Sequence, residues 1–219
     1  VSYVRQLPNV GGEYFASAVA VGDVTGDGRP DVAVMTAGVA GQTSWPDRES
    51  VVMVFRQKAD GTLDAPLTVR YLDTYSWQVG DMVLSDLDRN GVKEIVVGHQ
   101  EGLSLVRYNA ALQALEATKI VDERQYNPGF ASLAVEDFDG DGKPDVLAKR
   151  PEYGTVLYKG DGAGGLSARE VDGIPNLSRP NILAREMNGD GKPDLVIYSG
   201  DWWVLLLNDG TGRFGNPVQ

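Results

Sequence analysis

A nine-residue acidic loop occurs four times along this 219-residue chain. It reads Asp23-Val24-Thr25-Gly26-Asp27-Gly28-Arg29-Pro30-Asp31, then Asp86-Leu87-Asp88-Arg89-Asn90-Gly91-Val92-Lys93-Glu94. The third copy is Asp137-Phe138-Asp139-Gly140-Asp141-Gly142-Lys143-Pro144-Asp145, and the fourth Glu186-Met187-Asn188-Gly189-Asp190-Gly191-Lys192-Pro193-Asp194. Oxygen-bearing side chains recur at loop positions 1, 3, 5 and 9, with glycine always at position 6. The loop starts lie 63, 51 and 49 residues apart, the length of a propeller blade. A chain repeating at this period must stack its units, because each alone cannot bury both of its faces.

The flanks of the loops repeat as well. Upstream run Ala16 to Val21, Met82 to Leu84, Ser132 to Val135 and Ile182 to Ala184. Downstream run Val32 to Val34, Ile95 to Val97, Val146 to Ala148 and Leu195 to Ile197. Short apolar runs bounded by Gly, Pro and Asp read as buried strands joined by the loop. Third strands are expected at Val51 to Phe55, Leu103 to Arg107, Thr155 to Tyr158 and Val204 to Leu207. Fourth strands are expected near Leu67 to Tyr71, Ala117 to Val121 and Ser167 to Val171. The turns Asp60-Gly61, Asp161-Gly162 and Asp209-Gly210 join third to fourth strand as tight hairpins prefer, and Asn109-Ala110-Ala111 is a weaker signal in repeat two. The expected fold is all-β: one domain over residues 1–219, a β-propeller of four-stranded antiparallel blades. Val1 to Leu7 falls where a fourth strand for the last blade would lie. The four blades either close a ring alone or form part of a larger one.

Side chains at positions 1, 3 and 5 of a tightly curled loop converge, and a carboxylate at 9 closes the shell. That donor set suits a hard cation, and Ca²⁺ is the first candidate, structural and up to four in number. The expected ligands are Asp23, Thr25, Asp27 and Asp31; Asp86, Asp88, Asn90 and Glu94; Asp137, Asp139, Asp141 and Asp145; and Glu186, Asn188, Asp190 and Asp194. The backbone carbonyls of Arg29, Val92, Lys143 and Lys192 at position 7 join them. An EF-hand would need glutamate at position 12. That position holds Val34, Val97, Ala148 and Ile197, so these are strand-joining loops of another kind. The third copy, with four carboxylates, should bind most tightly. Thr25 in the first copy and Glu186 and Asn188 in the fourth are weaker ligands.

The run from Phe130 through Asp137-Phe138-Asp139-Gly140-Asp141-Gly142-Lys143-Pro144-Asp145 to Leu147 resembles a repeat of the FG-GAP/VCBS family. The four copies extend this resemblance over nearly the whole chain. It implies calcium-loop propeller blades like those of bacterial surface proteins, fungal lectins and integrin α-subunits. Rings of that family are typically seven-bladed, so four repeats depart from the pattern.

Net charge is −11, yet thirteen of the 31 acidic residues occupy loop ligand positions, and the other 18 are outnumbered by 20 Lys plus Arg. The acidity is therefore mostly metal-site charge. No basic block interleaved with aromatics exists, which argues against a nucleic-acid partner. No apolar run is long enough for a transmembrane helix, which argues against membrane insertion. The chain begins at Val1 rather than Met and contains no cysteine. It reads as a processed chain or an excised segment. Extracellular calcium modules bind weakly, which favours an extracellular, cell-surface or periplasmic setting.

Strand parity places the acidic loops and Asp-Gly turns at one end. The opposite end collects Trp45, Tyr75, Trp77, His99, Arg150, Tyr153 and Trp202, a candidate ligand-binding face. His99 reads there as a surface polar residue. No nucleophile–base pair, phosphate loop or zinc spacing is present. The leading reading is a non-enzymatic, calcium-stabilised propeller for adhesion or recognition, binding glycan or extracellular protein. The alternatives are the propeller module of a polysaccharide-active enzyme or a purely architectural segment. Self-association enters if one chain does not close its ring.

Overall fold

The computed structural model describes residues 14–39, 50–72, 80–123, 130, 132–150, 153–171, 173–175, 181–199 and 202–215. Within them lie fifteen strands. Blade 1 is β1 (Tyr14–Gly22), β2 (Asp31–Val39), β3 (Ser50–Phe55) and β4 (Leu67–Leu72). Blade 2 is β5 (Asp81–Ser85), β6 (Glu94–His99), β7 (Gly102–Asn109) and β8 (Ala114–Asp122). Blade 3 is β9 (Ser132–Glu136), β10 (Asp145–Arg150), β11 (Gly154–Gly160) and β12 (Leu166–Glu170). Blade 4 is β13 (Asn181–Arg185), β14 (Asp194–Ser199) and β15 (Trp202–Leu206). Each blade is an antiparallel meander in sequence order, with the acidic loop joining its first two strands. The blades are arranged as a four-blade propeller whose first strands, β1, β5, β9 and β13, are successive neighbours around the axis. The proposed role of Val1 to Leu7 in the last blade lies outside the described residues.

Alternation gives every blade two apolar faces, because both sides of a strand must pack on neighbouring blades. The forward face of blade 1 (Ala33, Met35, Val52, Val54) meets the backward face of blade 2 (Met82, Ile95, Val97) in one cluster. Leu105 and Val96 of blade 2 meet Leu133, Val146, Ala148 and Tyr158 of blade 3. Leu147 and Leu157 of blade 3 meet Ile182, Leu195, Ile197 and Leu206 of blade 4. The second loop residue plugs each of these seams: Val24, Leu87 and Phe138 are buried in the first, second and third. Phe138 lies edge-on to Phe214, with ring centroids 5.9 Å apart.

Polar latches stitch the inner strands together. The carboxylate of Asp81 at the start of β5 accepts the backbone N–H of Leu133 in β9 at 2.8 Å. Ser132 Oγ at the start of β9 accepts the N–H of Ile182 in β13 at 3.0 Å. Both acceptors occupy the place five residues before their blade's loop. The same place holds Ala18 in blade 1 and Asn181 in blade 4. No helix among the described residues is long and apolar enough to cross a membrane.

Candidate functional site

The four loops share one hydrogen-bond scheme. The position 1 carboxylate accepts backbone N–H groups from the turn it encloses: Asp23 from Gly26 and Gly28, both at 2.7 Å, and Asp137 from Gly140 and Gly142, both at 2.8 Å. Asp86 does the same for Asn90 and Gly91. At position 5 the side-chain oxygen accepts the N–H of position 7, from Arg29 at 2.9 Å, Val92 at 2.7 Å, Lys143 at 3.0 Å and Lys192 at 2.9 Å. Glycine at position 6 has positive φ in every copy (81°, 90°, 82° and 78°), so a Cβ there would be strained.

Position 9 does more than close a shell. Asp31, Glu94, Asp145 and Asp194 are all buried. One oxygen of each accepts the N–H of loop position 2: Val24 at 3.2 Å, Leu87 at 2.8 Å, Phe138 at 3.1 Å and Met187 at 3.1 Å. The second oxygen of the three aspartates accepts an N–H at the end of the third strand: Gln57 at 3.0 Å, Gly160 at 3.0 Å and Asn208 at 2.9 Å. Position 9 therefore pins the loop to the strand beside it. The sequence reading missed this role. The signal was there, since an acid directly ahead of an apolar second strand must be buried with it.

Two loops bring three carboxylates together. Ligand oxygens of Asp86, Asp88 and Glu94 lie within 4.8 Å of one another, as do those of Asp137, Asp139 and Asp145. Calcium takes oxygens at about 2.3–2.6 Å, so oxygens sharing one ion lie at most about 5 Å apart. The donor sets of blades 2 and 3 fit that limit. The electrostatics agree. Burial, with Asp139 and Asp141 as neighbours, pushes the Asp145 carboxyl up to about 6. Burial likewise raises Glu94. In loop 1 the Thr25 hydroxyl donates to Asp31 at 3.0 Å. In loop 4 Glu186 accepts the N–H of Asn188 at 2.9 Å, and Asn188 that of Asp190 at 2.9 Å.

A second charge pattern tracks the acids at position 3. Val54, Leu105, Leu157 and Leu205 face equivalent second-strand residues, so Arg56, Arg107, Lys159 and Leu207 are equivalent to one another. Arg107 pairs with Asp88 at 3.3 Å, and Lys159 pairs with Asp139. That contact raises the Lys159 ammonium pKa. Where position 3 is Thr25, Arg56 turns to Asp64 at 3.4 Å; where it is Asn188, the strand residue is the apolar Leu207.

At the opposite end the candidate face divides. His99 is not a surface residue: it closes β6, is buried, and shares a 2.9 Å hydrogen bond between Nε2 and Ser104 Oγ. Its Nδ1 accepts the N–H of Glu101 at 3.2 Å, and its ring lies 5.7 Å from that of Tyr71. Burial, reinforced by the Lys119 charge, depresses its pKa to about 4. Arg150 closes β10 rather than sitting in a loop and is buried as well. It pairs with Glu123 at 3.2 Å and lies over Phe130 at 5.5 Å, while Tyr158 donates to the same Glu123 oxygen at 2.8 Å. These two side chains are interior because their strands extend further than the apolar runs. Tyr153 is exposed. Trp202 is the first residue of β15, not a loop residue. Trp45, Tyr75 and Trp77 lie outside the described residues.

Near the axis, β5, β9 and β13 line an open cavity of about 320 Å³ that includes Asp81, Leu133, Glu136, Leu183 and Arg185. Its carboxylates are engaged: Asp81 by two backbone N–H groups, Glu136 by Arg185 at 3.2 Å.

Meander blades, each with an acidic loop between its first two strands, define a β-propeller. The chain carries repeats of that kind: residues 15–44 match the FG-GAP repeat and residues 86–148 the FG-GAP-like repeat. Human phosphatidylinositol-glycan-specific phospholipase D is 34% identical over 104 residues, covering 38% of this chain and 12% of that protein. Among solved structures, an Agrocybe aegerita lectin that recognises non-reducing terminal N-acetylglucosamine superposes with a TM-score of 0.63 at 18% identity. It covers 95% of this chain and 52% of its own. An exotype rhamnogalacturonan lyase superposes at 0.53 and 18% identity, over 92% of this chain and 41% of its own. The chain thus spans about half the length of these structures or less, and the likeness to them is one of fold.

Proposed function

We propose that this chain is a calcium-stabilised propeller that recognises glycan or extracellular protein through the end opposite its acidic loops, without itself being a catalyst. The observation that carries the reading is the pair of carboxylate triads in blades 2 and 3. Each has three ligand oxygens within 4.8 Å, and none of the three belongs to the opposite end. Clustered carboxylates repel, and a dication that neutralises them fixes the turn. Asp86, Asp88 and Glu94 would hold one ion, and Asp137, Asp139 and Asp145 another. The charge belongs to the scaffold, which leaves the opposite end for recognition.

The fold shared with a glycan-recognising lectin supports a binding module, as does the state of the unusual titratable groups. His99, Asp81 and Glu136 are each held by internal partners. Extracellular calcium modules bind only weakly, which favours an extracellular or periplasmic setting for this one. The test has two arms. Thermal melts with calcium and with excess EDTA should differ by many degrees; identical melts, with no metal by elemental analysis, would overturn the calcium reading. A glycan array, including chains ending in N-acetylglucosamine, should give binding without turnover. Release of product from any arrayed glycan would favour an enzyme instead.

A further inference from the structure

The acidic loop of blade 3 is held from outside its own blade. The carbonyl oxygen of Phe138, at loop position 2, accepts the Nδ2–H of Asn208 in blade 4 at 2.9 Å. Asn208 is buried, and both ends of its amide are engaged, since Oδ1 accepts the N–H of Gly210 at 3.0 Å. Its backbone N–H donates to Asp194 at 2.9 Å. On the other side, the Phe138 N–H donates to Asp145, one of the three carboxylates that the loop gathers. A path of hydrogen bonds thus runs from Asp145 through Phe138 and Asn208 to Asp194. The second oxygen of Asp194 carries it on to the Met187 N–H, inside the loop of blade 4.

Packing follows the same route. The Phe138 ring fills the seam between blades 3 and 4, beside Phe214. The turn that carries Gly210 and Gly212 lies against the loop of blade 3. A Cβ on Gly140 would come within 3.2 Å of the Gly210 carbonyl oxygen, and one on Gly212 within 3.9 Å of Asp139 Cβ. Blade 4 therefore touches the loop at positions 2, 3 and 4. In blade 3 the residue equivalent to Asn208 is Gly160, pinned in the same way, and it has no side chain with which to reach the loop of blade 2.

We propose that Asn208 couples the cation site of blade 3 to the docking of blade 4, an inference that rests on the calcium reading above. Calcium held by Asp137, Asp139 and Asp145 fixes the loop backbone, and with it the Phe138 carbonyl that receives Asn208. Conversely, a docked blade 4 keeps that backbone in its ligating shape, so less ordering remains to oppose binding of the ion. Asn208 is a positioning residue, acting through Phe138 rather than on the cation. Coupling of this kind is reciprocal. The factor by which docking raises calcium affinity is the factor by which calcium strengthens the seam. A single buried hydrogen bond sets that factor at about two- to tenfold.

Hydrogen exchange of the Ile182 N–H reads the seam, because blade 3 holds that group through Ser132 Oγ. Core amides of β6 serve as the reference for global unfolding. Calorimetric titration with calcium on the same 219-residue chain reads the site. In the wild type, calcium should slow Ile182 exchange, relative to the reference, by about two- to tenfold over EDTA. Asn208→Ala should abolish that slowing and weaken calcium binding in blade 3 by a similar factor. A merely structural Asn208 would instead leave the calcium-dependent slowing intact, with exchange faster by one factor in calcium and EDTA alike. Asp139→Asn dismantles the site while leaving Asn208 in place, and should also abolish the slowing, which keeps the test open if Asn208→Ala does not fold. Asp88→Asn, in the blade 2 site, should preserve it. Slowing that survives Asn208→Ala or Asp139→Asn would overturn the proposal. Calcium binding with no change in Ile182 exchange would overturn the coupling and leave the calcium reading standing. A wild type that binds no calcium would overturn both.

Discussion

The buried carboxylate of Asp145 accepts the backbone N–H of Gly160 at 3.0 Å, tying the end of the acidic loop to the end of the third strand. Its other oxygen accepts the N–H of Phe138 at 3.1 Å. A carboxylate that satisfies two buried donors contributes stability whether or not a cation is present. Asp145→Ala should therefore destabilise the protein even in EDTA. Each orphaned buried N–H costs on the order of 1–3 kcal/mol. Denaturant melts of wild type and variant, with calcium and with EDTA, separate the two roles. A difference seen only with calcium would reduce Asp145 to a ligand.

Lys159 and Arg107 supply the charge that a cation would otherwise supply to Asp139 and Asp88. A bound dication must displace or share with them, so they should lower affinity. Lys159→Gln should tighten calcium binding in blade 3 by up to about fivefold, from the ~1 kcal/mol upper range of an exposed pair. It should also lower the melting temperature in EDTA. Calorimetric titration of both proteins reads the first effect; unchanged affinity would show that the pair rearranges without cost.

Blade organisation was legible because two periodic signals coincide: the nine-residue loop and alternating strands on each side of it. The third and fourth strands followed from turn dipeptides. Even the weak Asn109-Ala110-Ala111 turn holds, because Asn109 Oδ1 accepts the N–H groups of Ala111 and Leu112. The opposite end was less legible. His99 and Arg150 are polar residues just past an apolar run, where sequence alone does not say whether the strand continues, and here it does. The pins to Gln57, Gly160 and Asn208 escaped because their donors are backbone groups, which carry no side-chain signal. The latches at Asp81 and Ser132 had a faint one, a polar residue five places ahead of the loop in three of four repeats.

His99 gives the fold a dependence on acid. Its neighbours are Tyr71 and Ser104, with Lys119, Glu101 and Asp122 as the nearby charges. Folded His99 titrates near 4, against about 6.5 in an unfolded chain. Above pH 6.5 neither state binds the proton and the contribution is complete. Between 6.5 and 4 the unfolded state binds it and the folded state does not, so stability falls with pH, by on the order of 3 kcal/mol in all. Below 4 the loss levels off. In His99→Gln the part of the pH slope between 6.5 and 4 should disappear. Parallel curves for the two proteins would show that the imidazole is protonated normally in the fold.

Arg89 is the one residue at loop position 4 that is not glycine, and it holds the same left-handed conformation. Its φ is 61°, against 74°, 75° and 86° for Gly26, Gly140 and Gly189. An L side chain in that region costs about 1 kcal/mol or more, and glycine does not. The greater freedom of glycine in the unfolded chain returns part of the difference. Arg89→Gly should therefore stabilise blade 2 by about 0.5–1 kcal/mol net, a rise of a few degrees in melting temperature. Removing a cation from a loop that gathers Asp86, Asp88 and Glu94 should also favour calcium slightly. The gain in stability should persist in EDTA, because it comes from the backbone. If it appears only with calcium, charge rather than conformation sets the cost of Arg89.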